Sequence, residues 1–173
     1  VLAGVAEIDG ARSYETETDL LWHNIRAVAS LPGFRGVGDR LAFGPETPRR
    51  MAATALALYA ATMDFAALHA VTGLHWVRLV VPCLDDPEPL YRAFWQTIAA
   101  LVPKIGFPEL PAAAALADLR ATPAPPWSEI RARAVTSEDE HDISLTFSAW
   151  QESQLWGDPL YRVVAARRLG LIA

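Results

Sequence analysis

Three pairs, Thr47-Pro48, Asp86-Pro87 and Asp158-Pro159, punctuate this chain and constrain its fold more than any other feature. Each couples a side chain able to accept an orphan N–H with a proline whose fixed φ and missing donor suit the first helical position. The pattern after them is helical. Met51, Ala55, Leu58, Tyr59 and Thr62 share one face; Tyr91, Phe94, Trp95, Ile98 and Val102 share another, with Pro103 ending that run. Further helices are expected near 18–30, 64–81, 111–120, 127–136, 138–156 and 159–169, and Ser137 with Glu140 has the spacing of a capping box. No segment alternates with period two, and no repeat is visible. The expectation is one domain over 1–173: an all-α, multi-helix bundle of about eight helices with short loops.

Composition narrows the partners. At 52% hydrophobic and 20% charged the chain can build a core, which argues against disorder. Net charge is −5, and the basic residues, a single lysine (Lys104) and otherwise arginines, are scattered, which argues against nucleic acid. Cys83 has no second cysteine to pair with, so a cytoplasmic location is expected. The run from 65 to 81 is the most apolar, yet it holds His69, His75 and Arg78 and stops at Pro82. That composition suits a buried core helix better than a membrane span. Residues 103–127, rich in proline, read as a connector or as a lid carrying Phe107, Leu110 and Trp127.

Chemistry concentrates in histidine. Of four histidines, three lie in His69-Ala-Val-Thr-Gly-Leu-His75 and Ser137-Glu-Asp-Glu-His141. His69 and His75 fall about 120° apart on a helix, able to border one cavity but not to point along one line. Thr72 lies between them, and Gly73 can loosen the helix or admit a neighbour closely. On the later helix Ile143, Phe147 and Trp150 form an apolar stripe beside a polar row, His141, Ser144, Ser148 and Glu152. That row is either solvated or one wall of a pocket. Glu152 lies about 16 Å along the axis from His141, too far to share a metal shell with it on one straight helix. A set of two or three imidazoles with a water or carboxylate suits Fe(II), with positions left for oxygen. No Gly-x-Ser-x-Gly elbow and no phosphate-binding glycine loop is present, which weighs against hydrolase, kinase and Rossmann dehydrogenase chemistry.

Several segments together resemble the questin oxidase-like proteins. They are Ala60-Ala-Thr-Met-Asp-Phe-Ala-Ala-Leu-His69 continuing to His75, the Leu84-Asp-Asp-Pro87 turn with Trp95 beyond it, Glu138-Asp-Glu-His141, and Tyr161 after Gly157-Asp-Pro-Leu. The resemblance runs from about residue 20 to the C-terminus. It implies an α-helical oxidoreductase, an oxygen-dependent non-haem iron oxygenase opening an aromatic polyketide or anthraquinone-like ring. It nominates His69, His75 and His141 as catalytic metal ligands; the helix faces that carry them make Thr72, Trp76, Ser144 and Ser148 the candidates for the substrate pocket. Trp95, Phe94, Phe147 and Trp150 are further wall candidates or core. Fe(II) is the implied cofactor; NADPH is compatible with such chemistry, but no motif indicates it.

Two departures bear on this reading. Family members commonly carry lysine where this chain has Ser144. They are also longer, with an N-terminal helical half, so that a homo-oligomer or pairing with such a half is expected to complete the site. The chain begins at Val1, and residues upstream are expected. The alternative is a non-catalytic helical domain that binds a ligand or partner. His23 lies outside the motifs and reads as structural or superficial.

Overall fold

A computed structural model describes residues 2–173. The described residues form eight α-helices and no strand, as the periodicity predicts: α1 (Leu21–Ala29), α2 (Thr47–Thr62), α3 (Phe65–Val80), α4 (Glu88–Lys104), α5 (Ala113–Ala121), α6 (Trp127–Ala134), α7 (Glu140–Trp156) and α8 (Leu160–Arg168). Short 3₁₀ turns at Leu2–Glu7, Phe34–Val37 and Val81–Cys83 fill the connections.

The starts of these helices separate capping from mere spacing. Asp86 and Asp158 act as expected, their carboxylates accepting the N–H of Glu88 and of Leu160. Thr47 does not: its hydroxyl accepts the Gly44 N–H instead, and α2 begins at Thr47 itself. The capping box is also absent. Asp139, not Ser137, caps α7 by accepting the His141 N–H at 2.9 Å, while Ser137 donates to Asp142. A carboxylate two residues ahead of the free N–H reaches it without the reciprocal glutamate. Pro103 falls inside the last turn of α4, which ends one residue later than expected.

α3 is the central element. It follows α2 after a left-handed Met63 and the N-cap Asp64, and packs against α2, α4 and α7. Alanines at 57, 60, 66, 67 and 70 are buried along the α2–α3 pair, and such small side chains let helix axes approach. Gly73 works by close approach: a Cβ there would meet Phe94 Cζ of α4 at 2.6 Å, and α3 stays helical through it. The segment Phe65–Cys83 is long and apolar enough to cross a bilayer by composition, and half of its most apolar window is packed inside the bundle.

α7 lies the other way round from its apparent stripe. Ile143 and Phe147 are exposed, and Trp150 is half-buried with the Arg131 guanidinium 4.9 Å over its ring. The inward seam is Leu145, Ser148, Ala149 and Glu152. Small side chains at 148 and 149 permit contact with α3, and donors on α3 meet Glu152, so the polar row faces inward over its second half.

Candidate functional site

His69, on the second turn of α3, and His141, on the first turn of α7, are neighbours despite their separation in sequence. Their ring centroids lie 5.4 Å apart, edge to face. Phe65 lies 4.7 Å from each and forms the third member of the cluster. Both histidines are partly exposed. Each ring is held by its Nδ1: that of His69 donates to the Phe65 carbonyl at 2.8 Å, that of His141 to Asp139 Oδ1 at 2.9 Å. With the hydrogen on Nδ1, the lone pair is on Nε2, which has no hydrogen-bond partner among the described residues. A carbonyl or carboxylate on one nitrogen, fixing the tautomer and freeing the other, is how metal-binding histidines are oriented.

Asp139 holds more than one ring. It accepts the backbone N–H and the Nδ1 of His141, and the Arg168 guanidinium from the end of α8 bonds both Asp139 and Asp142. These bonds, the His141 N–H foremost, hold the Asp139 carboxyl below its ordinary value. Asp139, Glu140 and His141 bring ligand atoms within 4.8 Å of one another. Both carboxylates lie beside His141 Nδ1, however, so they serve the edge of the ring already bonded.

His75 belongs to a different site. It is fully buried, and its Nδ1 donates to Glu152 Oε1 at 2.7 Å. Arg78 Nε bonds the same oxygen at 2.6 Å, and Trp156 Nε1 bonds Oε2 at 2.7 Å. Glu152 is thus a buried carboxylate with three donors, from α3 and from its own helix. Phe147 covers His75 edge to face at 5.7 Å, and His75 Nε2 is buried without a partner. The three nominated histidines therefore do not converge on one point: His69 pairs with His141, and His75 with Glu152.

The remaining nominated residues are distributed between these environments. Thr72 is buried and returns its hydroxyl to the Leu68 carbonyl. Ser148 is buried and Ser144 half-buried on α7, while Trp76 is exposed on α3. Phe94 packs over Gly73, and Trp95 is buried in the core. His23 bonds the Thr18 hydroxyl at 2.6 Å at the start of α1, apart from both sites. The buried phenols of Tyr59 and Tyr161 are raised by desolvation, to about 12 for Tyr59, so neither is a base at neutral pH.

Sequence reasoning missed Phe65, Asp139, Arg168, Arg78 and Trp156. One signal was present: Arg78 is a charge inside an apolar run, and a charge there needs a buried partner.

The donor set fits a cation in part. The pair offers two imidazoles with centroids 5.4 Å apart, each with an Nε2 lone pair, the ligand type that divalent first-row metals take. This chain presents two such nitrogens at the pair, and further ligands would have to come from water, substrate or another chain. Comparison with family models, with curated proteins and with solved structures finds nothing that matches this chain.

Proposed function

We propose that this protein is an oxygen-dependent, non-haem iron oxidoreductase of the questin oxidase-like kind, acting on an aromatic polyketide or anthraquinone-like substrate. The observation that carries the reading is the His69–His141 pair, two half-exposed imidazoles on different helices with Nδ1 tied back and Nε2 free. Iron, when bound there, would supply oxygen activation. The chain's own residues do the rest: Asp139 and the Phe65 carbonyl fix the ligand tautomers, and Arg168 locks Asp139 to the α7 terminus. The apolar side chains exposed on α3 and α7, Phe65 at the pair and Trp76, Ile143 and Phe147 further along, give a flat substrate or a second chain something to cover. We place a second copy or separate polypeptide over this side, supplying the missing ligands.

The test is anaerobic loading with Fe(II), scored by iron per chain and by mass in solution. One iron per assembled site is expected, lost in His69→Ala and in His141→Ala and retained in His23→Ala. Oxygen uptake with a hydroxyanthraquinone should follow iron content. Equal iron in all four proteins would sink the reading. A second reading, a non-catalytic binding domain, is favoured by Ser144 and by the shortage of ligands in the chain. It predicts no iron-dependent oxygen uptake even when the pair is loaded.

A further inference from the structure

We infer that the large cleft between α2, α4 and residues 107–110 binds an amphipathic carboxylate, a small molecule with an apolar or aromatic body and an anionic head. The cleft has a volume of about 820 Å³, the size of a small-molecule site, and none of the four histidines lines it. Its floor is apolar, with Met51, Leu58 and Trp95 all buried. Its rim is cationic. Arg12, Arg40 and Arg50 line it against a single acid, Glu109, which leaves three positive charges less one on a chain of net −5.

Four arginines of the bundle are already engaged, and the three at the rim are among those that are not. Arg78, Arg92, Arg120 and Arg168 each hold a carboxylate of this chain. The side chains of Arg12, Arg40 and Arg50 make no ion pair and no hydrogen bond among the described residues, although Arg12 lies 4.4 Å over the Phe107 ring. A planar guanidinium is suited to a carboxylate in bidentate fashion, and here three are left without one beside an apolar hollow.

The wall that carries Phe107 is itself unusual. Phe107 has φ 56, in the left-handed region that non-glycine residues rarely occupy, directly after Gly106 at φ 84. The bond from Phe107 N–H to the Val102 carbonyl turns the chain back there. The pattern is a helix C-terminal cap, a left-handed glycine with a 6→1 bond that closes α4. Here it sets an aromatic ring between an arginine and the apolar floor. Trp95 adds a buried Nε1–H with no acceptor. A ligand with an acid at the rim and an aromatic or alkyl body on the floor meets the arginines and the apolar lining; the Trp95 N–H is met only by a ligand that also carries an acceptor at the floor.

Calorimetric titration of the metal-free protein with naphthoate and with decanoate tests the site apart from the iron reading. One molecule of each should bind per chain, with the neutral naphthamide about tenfold weaker, as loss of a charge-assisted hydrogen bond predicts. Inorganic phosphate should not compete. Arg40→Gln with Arg50→Gln should weaken naphthoate by about tenfold and leave naphthamide unchanged. Thr54→Trp, at a half-buried lining position, should block both ligands without disturbing the core. Absence of binding by either acid, equal binding of acid and amide, competition by phosphate, or indifference to the arginine or tryptophan changes would each overturn the assignment.

Discussion

His69 and His75 sit on the same helix, and their surroundings differ in every respect that decides what an imidazole does. His75 is sealed under Phe147 and tied to a carboxylate that Arg78 and Trp156 also hold. His69 is partly open to solvent, tied only to the carbonyl one turn before it, and faces a second ring with its Nε2 free. The buried network joins α3 to α7 and leaves its histidine little freedom to exchange partners. The outer pair joins the same two helices loosely and can accept a ligand. The sequence groups the three histidines at one site, and the structure divides them between two points of contact of α3 with α7, one enclosed and one open.

The sharpest way to break this contrast is Glu152→Ala. The buried His75 and the partly exposed Arg78 and Trp156 would lose their acceptor, and leaving such donors unpaired costs about 2–3 kcal/mol. Denaturant unfolding should show it, and a loss below about 1 kcal/mol, the scale of a surface pair, would mean that the network is not structural. Gly73→Ala comes next. Its methyl must displace the Phe94 ring, a cost of about 1–3 kcal/mol that the better helix propensity of alanine offsets by about 1. A net loss of about 1 kcal/mol is expected; a gain in stability would show that α4 does not seat on α3 at this point.

His69→Ala and His141→Ala should do little to folding, about 0.5–1 kcal/mol each for one partly exposed hydrogen bond. Their effect should appear in metal retention instead. A stability loss comparable to that of Glu152→Ala would erase the distinction between the two sites. The smallest effect concerns Asp139. Its carboxyl is held below the ordinary 3.8 in the folded protein, so its stabilisation is present above that value and is lost as pH falls through and below it. Asp139→Asn should flatten the acid side of the melting profile slightly. An unchanged profile would show that the cap does not depend on the charge.

Helix content was legible in the sequence because apolar periodicity and carboxylate caps are local. Asp86 and Asp158 behave as their spacing implies, and all eight helices lie close to where the pattern places them. The meeting of His69 and His141 is what the resemblance implies, and the structure brings them together at a partly exposed point, not an inward one. The orientation of α7 was not legible. Ile143, Phe147 and Trp150 make a coherent apolar stripe, but a stripe does not say which neighbour it meets, and the small seam through Ser148 and Ala149 fits α3 more closely. Nor could the partner of His75 be read, since a buried carboxylate is recognised by its donors and these come from three different turns of two helices. Local hydrogen bonding and period settled the elements of this protein. Tertiary packing alone decided which polar side chains were enclosed, because the free energy of burying a charge depends on partners distant in sequence.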